Sequence, residues 1–135
     1  MRNRRPVLLL LASAVAAAAI GCSDNSGPSN PPPPAGSYAL VSLQNPPNPQ
    51  LTPPFATGTL ALTATTYNVT INVQGEDPVT DQGTYTISGS DWTQTSTTNQ
   101  GVQSAGTFTY NLATGLLTVD VTAVGVRTIT AWQKQ

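Results

Sequence analysis

The sequence predicts an all-β domain, an antiparallel meander of about eight strands that closes into a small up-and-down barrel. From Ser37 to Gln135, polar and apolar residues alternate in short runs, helical periodicity is almost absent, and short turns rich in glycine, threonine and aspartate join the runs. Sequential short connections favour neighbouring antiparallel strands, and eight strands enclose room for side chains or one small ligand. An immunoglobulin-like β-sandwich is the alternative, because it has the same alternation and turn spacing.

The clearest strand is predicted from Tyr67 to Gln74, where odd positions are apolar and even positions polar. Seven further runs of this kind lie at Ser37–Leu43, Gly58–Ala64, Gly83–Ser88, Asp91–Thr95, Gly106–Leu112, Leu116–Thr122 and Val126–Gln133. The alternation predicts that the barrel interior contains Tyr38, Leu40, Leu60, Leu62, Tyr67, Val69, Ile71, Val73, Tyr85, Ile87, Trp92, Phe108, Tyr110, Leu117, Val119, Val121 and Ile129. Trp92 and Trp132 are expected to pack in the core or at a barrel end. Trp132 is out of phase with Ile129, and exposure on the outer face with a role in binding is the alternative for it.

A weak repeat accompanies the strands. Gly58, Gly83 and Gly106 each begin a glycine, threonine, apolar triplet, and the spacing between them is about one hairpin. Glycine within a strand allows the sharp bend with which a sheet closes on itself. A chain rich in glycine and threonine also produces such triplets by chance.

The first 21 residues are typical of an export signal. A basic start precedes the apolar run from Val7 to Ile20, which is shorter than the roughly 20 residues of a membrane-spanning helix. Ala19-Ile20-Gly21-Cys22 resembles the processing site of a bacterial lipoprotein. The resemblance implies that Cys22 becomes the first mature residue and carries acyl chains such as palmitate. Cleavage by ordinary signal peptidase, which would leave Cys22 as a free thiol, is the alternative.

The sequence therefore divides into a signal peptide at residues 1–21, a lipidated tether rich in proline, serine and asparagine at 22–36, and a single barrel domain at 37–135. The expected location is the cell envelope. Serine rather than aspartate follows the cysteine, which favours the outer membrane where the host has one. We expect a monomer.

The excess of acidic residues restricts the kinds of molecule that the protein can bind. After processing, Arg127 and Lys134 are the only basic residues beside six acidic ones. This balance provides no basic surface for nucleic acid or for anionic lipid head groups, so membrane contact would come through the covalent lipid on Cys22.

No set of residues indicates a reaction. The sequence contains no histidine and one cysteine, which excludes a Ser-His-Asp triad and the common zinc sites. Glu76, Asp77 and Asp81 surround one hairpin, where a solvated acidic turn is expected rather than a calcium site. We therefore predict a protein that is not an enzyme and has no catalytic residue, metal site or cofactor.

At Gly36-Ser37-Tyr38 the predicted domain resembles the lipocalin-like, or calycin, lipoproteins, whose first strand opens with Gly-x-Trp. In that family the aromatic ring closes one barrel end against an arginine of the last strand. The resemblance implies that Tyr38 packs against Arg127. It also implies that the loop from Gln44 to Ala56 lies over the open end as a lid. The strands here are shorter and no helix precedes the end, which reduces the room for a ligand.

Two functions fit these observations. The first is a binding module for a small apolar ligand, with a site lined by Leu60, Val69, Ile71, Tyr85, Phe108 and Val119. The second is a structural or protein-interaction domain with a filled core that contacts another envelope protein. The volume of the inward side chains distinguishes the two functions, because side chains that fill the barrel leave no space for a ligand.

Overall fold

The computed structural model describes residues 30–135. The predicted signal peptide, Cys22 and the first part of the predicted tether lie outside the described residues. The described residues form eight strands, β1 (Gly36–Gln44), β2 (Ala56–Leu62), β3 (Thr66–Val73), β4 (Val79–Ser88), β5 (Asp91–Ser96), β6 (Gln103–Asn111), β7 (Leu116–Ala123) and β8 (Val126–Lys134). Between residues 30 and 135 there is no helix of the length and apolarity that would span a membrane.

The sheet closes completely. Each strand pairs antiparallel with the next one along the chain, and β8 pairs with β1. The predicted eight-stranded up-and-down barrel is confirmed, and the immunoglobulin-like sandwich is not formed. Closure leaves no strand edge exposed along the length of the barrel.

The pleat of the strands determines the barrel interior. All but one of the residues predicted to face inward are buried or packed against the core. The exception is Ile129. Strand β8 places Thr130 opposite Val119 and Trp132 opposite Leu117, so its even-numbered side chains face inward. Trp132 is only 2 % exposed and packs in the core, so the predicted inward position of Ile129 was wrong. The apolar residues of β8 occupy both phases of the strand, so alternation alone could not orient it.

Three glycines within strands allow adjacent backbones to approach closely. A Cβ added at Gly83 would lie 1.9 Å from the carbonyl oxygen of Thr95, and one added at Gly106 would lie 1.9 Å from that of Asp120. Gly58 has a similar though less severe contact. These are the glycines of the weak sequence repeat. Their shared role is to admit the backbone of the neighbouring strand, which a side chain at these positions would push away.

Residues 30–35, here called the strap, pack against one end of the barrel. The side-chain amide of Asn30 donates to the carbonyl oxygen of Phe108 at 2.7 Å, and the hydroxyl of Tyr38 donates to the carbonyl oxygen of Pro34 at 2.5 Å. Pro33 is buried. The last part of the predicted tether thus contacts the barrel instead of extending away from it. We call this end the closed end.

The half of the barrel next to the strap, the closed half, is filled by aromatic rings. Tyr85 stacks on Trp92 with ring centroids 4.6 Å apart. The rings of Trp92 and Phe108 are tilted relative to each other, with centroids 5.8 Å apart. Burial raises the pKa of both Tyr38 and Tyr85. Phe108 and Leu117 are almost completely enclosed. All of these residues belong to the buried core cluster.

Candidate ligand-binding site

The opposite half of the barrel, the open half, contains a cavity of about 250 Å³. It opens at the end that carries the turns after β3, β5 and β7. About half of the lining residues are aliphatic, and polar and aromatic side chains form the rest. The lining residues are Leu60, Tyr67, Val69, Ile71, Val79, Asp81, Gln94, Ser104, Val119, Val121, Ala123, Val126, Thr128, Thr130 and Trp132.

Four of the six residues proposed for the ligand site line this cavity. They are Leu60, Val69, Ile71 and Val119. The other two do not reach it. Tyr85 and Phe108 belong to the aromatic stack of the closed half, because they occupy inward positions nearer to the strap.

The loop of residues 44–56 lies at the open end but does not cover the cavity, since none of its residues lines the wall. Leu43 and Leu51 exchange backbone hydrogen bonds, which fold the loop back onto β1. The side-chain amide of Asn45 donates to the hydroxyl of Thr128 at 2.8 Å and to the carbonyl oxygen of Arg127 at 3.1 Å. These contacts hold the loop beside the opening, and the expected lid is not formed.

A carboxylate lies in the cavity wall. Asp81 faces Val69 across β3 and β4, so both side chains point into the barrel. Its Oδ2 accepts a hydrogen bond of 2.8 Å from the hydroxyl of Tyr67, and its Oδ1 accepts one from the hydroxyl of Ser96. Burial, followed by the hydrogen bond to Asp81, raises the pKa of Tyr67.

Asp81 was missed as an interior residue because the predicted strand began at Gly83, four residues too late. Strand β4 begins at Val79. Asp81 has the same phase as Tyr85 and Ile87, which were assigned to the interior. Extending the alternation by one step towards the turn would have placed this carboxylate inside the barrel.

The predicted contact between Tyr38 and Arg127 was wrong. Tyr38 pairs with Lys134, at the end of β8, whereas Arg127 lies at the start of that strand. Because β1 and β8 are antiparallel, the first residues of the two strands lie at opposite ends of the barrel. The cation near the Tyr38 ring is Lys134, whose Nζ is 5.8 Å from the ring centroid.

Arg127 instead forms an ion pair on the outer face of the open half. Its Nη2 is 2.6 Å from Oδ2 of Asp120, and its Nε donates to Oδ1 at 2.9 Å. The hydrogen bond from Arg127 holds the pKa of Asp120 below its usual value, and Asp120 raises the pKa of Arg127 in return. This pair does not contribute to the cavity wall.

The cavity wall contains few polar groups. Between residues 30 and 135, no group of three or more histidine, cysteine, aspartate or glutamate side chains is arranged to hold a metal ion. The wall offers an apolar surface, several hydroxyl groups, one amide and one carboxylate. Such a surface suits a small molecule that is mostly apolar and has a few polar atoms.

No family model and no curated protein matches the chain. Among solved structures, the fold is similar to that of a redesigned β-barrel, mFAP1, which was solved bound to DFHBI. The TM-score is 0.51 at 16 % sequence identity, over 74 % of this chain and 94 % of the other. At that identity the likeness establishes the closed barrel fold alone.

Proposed function

We propose that this protein is a lipid-anchored binding module of the bacterial cell envelope whose barrel takes up a small apolar molecule. The cavity of about 250 Å³ in the open half is the observation that carries the proposal. A barrel that served only as a scaffold would gain stability by filling this space, because empty apolar space forfeits packing contacts.

The size and wall of the cavity describe its ligand. Drug-sized sites have volumes of about 300 to 1,000 Å³, so this cavity fits a smaller molecule. Aliphatic side chains such as Val69, Ile71 and Val121 would contact the body of the ligand. The redesigned barrel bound to DFHBI gives general support, since its fold also accommodates a small molecule.

The rim of the opening is also apolar. Val79 and Val126 line the cavity and are more than half exposed, and Val124 in the adjoining turn is 87 % exposed. Phe55 is exposed at the same end. Grouped exposed apolar side chains commonly mark a site of contact with another molecule, and here they would guide an apolar ligand into the barrel.

The lipid anchor fits this arrangement. The strap leaves the barrel at the closed end, and at most about 29 Å of chain separates Asn30 from Cys22. A lipid on Cys22 would therefore hold the closed end towards the membrane, and the cavity would open away from it. A ligand would then reach the site from the surrounding compartment and not from the bilayer to which the protein is attached.

Membrane fractionation of a Cys22→Ser variant tests the anchor. The thioether to this sulfur would supply the lipid attachment, so we expect the variant to lose labelling by radioactive palmitate and to leave the membrane fraction or accumulate as precursor. A Ser23→Ala variant, which preserves the sulfur, should behave like the natural protein. Equal membrane recovery and labelling of both variants would refute the anchor.

Native mass spectrometry of the full chain, purified from its own envelope without denaturation, tests the ligand. We expect an added mass that disappears when the protein is unfolded. A Val121→Trp variant, which fills the cavity, should lack that mass. A Val41→Trp variant should keep it, because Val41 is exposed on the outside of the barrel.

The alternative function is an interaction domain with a filled core. The packed closed half and the exposed apolar rim favour it. The same experiment separates the two functions, because an interaction domain predicts no added small mass in the natural protein and identical spectra for both tryptophan variants.

A further inference from the structure

The wall of the cavity is chemically uneven. Asp81, Gln94 and Ser104 contribute polar groups from β4, β5 and β6, and aliphatic residues of β3 and β7 form much of the remainder. Strand β8 adds the hydroxyl groups of Thr128 and Thr130. The side-chain carbonyl of Gln94 already accepts a hydrogen bond of 2.8 Å from the indole of Trp92. Asp81 is the only charged side chain among the lining residues.

Asp81 retains capacity for a ligand. A carboxylate offers about four acceptor positions. The hydroxyls of Tyr67 and Ser96 each donate one hydrogen bond to it and fix its orientation. Neither hydroxyl carries a positive charge, so the charge of the carboxylate is not neutralised by these contacts.

No cation of residues 30–135 lies in the cavity. The only basic side chains of this part of the chain are Arg127 and Lys134. Arg127 is paired with Asp120 on the outer face, and Lys134 lies near the ring of Tyr38 at the closed end. An anionic ligand would therefore lose its hydration inside the barrel without gaining a counter-charge.

Acidic side chains at the open end add to the negative charge of Asp81. Glu76 and Asp77 lie in the turn between β3 and β4, at the same end of the barrel as the cavity, and both are exposed. Their charges have the same sign as that of Asp81. The resulting negative potential attracts cations towards the opening and repels anions.

We propose that the cavity selects apolar molecules that carry a protonated amine, with Asp81 as the residue that determines this specificity. The proposal rests on the ligand-binding function proposed above and narrows its chemical class. The amine would donate hydrogen bonds to the free acceptor positions of Asp81, and the apolar body would lie against Val69, Ile71 and Val121. Charge-assisted hydrogen bonds in partly dehydrated sites are stronger than those between neutral groups.

Calorimetric titration of the full chain with three probes of similar size tests the proposal. The probes are naphthylmethylamine, which is a cation at neutral pH, naphthylmethanol and naphthoate. We expect the amine to bind at least about tenfold more tightly than the alcohol, and the anion to bind most weakly. The ranking in the natural protein needs no variant to fold.

Two variants and a control assign the preference to one carboxylate. Asp81→Asn should abolish the advantage of the amine while changing the affinity for the alcohol by less than about threefold. Asp81→Glu should preserve the advantage, since it keeps the charge. Asp91→Asn removes an exposed carboxylate at the closed end and should leave all three affinities unchanged.

The outcomes separate this inference from the function on which it rests. Equal binding of amine and alcohol, tighter binding of naphthoate, or an amine preference that survives in Asp81→Asn would overturn the proposed specificity and leave a binding module. Failure of all three probes to bind would overturn both the specificity and the proposed function.

Discussion

The two halves of the barrel use the same eight strands and differ in what fills them. On β5, Trp92 occupies the closed half and Gln94 the open half. On β6, the corresponding residues are Phe108 and Ser104. Large rings stack in the closed half, whereas smaller side chains leave about 250 Å³ unfilled in the open half. The volumes of successive inward side chains, and not the barrel architecture, therefore decide where a small barrel can hold a ligand.

Truncating the same residue type in each half gives the largest expected effect. Leu117→Ala should lower the free energy of unfolding by about 4 to 5 kcal/mol, near the upper end for buried leucine, because its enclosed site cannot collapse. Leu60→Ala should cost about 2 to 3 kcal/mol, since one side of Leu60 already faces empty space. Urea denaturation of both variants measures the difference. Equal losses would remove the distinction between the halves.

The glycine at the boundary of the halves gives the next largest effect. Gly106→Ala would place a Cβ 1.9 Å from the carbonyl oxygen of Asp120, so β6 and β7 must separate locally. We expect a loss of about 1 to 3 kcal/mol, as for an overpacked core. Gly89→Asn is the control, because no atom lies within 4 Å of its added Cβ and asparagine tolerates its positive φ. A neutral Gly106→Ala would show that strand approach does not require glycine here.

Buried tyrosines should make the barrel sensitive to alkali. The pKa of Tyr38, Tyr67 and Tyr85 is raised in the folded protein, chiefly by burial. Their neutral forms therefore contribute stability that is fully present below the unfolded value of about 10 and is lost as the pH rises above it towards the folded values. Denaturation midpoints should be flat from pH 7 to about 9 and then fall. Tyr85→Phe should reduce the slope, and an unchanged slope in that variant would contradict its burial.

The smallest effect is expected on the outer face. Asp120→Asn breaks the ion pair with Arg127, which is exposed to water and screened by salt, so the change in unfolding free energy should be close to the experimental error. Because the folded pKa of Asp120 is lowered, its contribution is present above the unfolded value of about 3.9 and disappears as the pH falls through the folded value. A large loss at pH 7 that persists in strong acid would contradict this account.

Short connections between successive strands favoured the closed barrel over a β-sandwich, since both folds show the same alternation. Alternation predicted nearly all of the barrel interior, because the side chains of a strand with one buried face repeat every second residue. It failed on β8, where apolar residues occupy both phases and only the pairing with β7 orients Trp132. The predicted site mixed residues from both halves, since alternation reports which face a side chain occupies and not its depth along the barrel. Tyr85 and Phe108 were misplaced for that reason. Strand direction would have excluded the contact between Tyr38 and Arg127 from the sequence alone.

Overpacking the two leucines tests most directly whether one half is filled and the other hollow. Leu117→Phe must fit a larger ring into an enclosed site and should lose about 1 to 3 kcal/mol of unfolding free energy. Leu60→Phe can extend its ring into the cavity and should change the unfolding free energy by less than about 0.5 kcal/mol. The measurement is the difference between the two variants in urea denaturation at pH 7. Equal losses, or a greater loss for Leu60→Phe, would contradict the presence of a cavity in the open half.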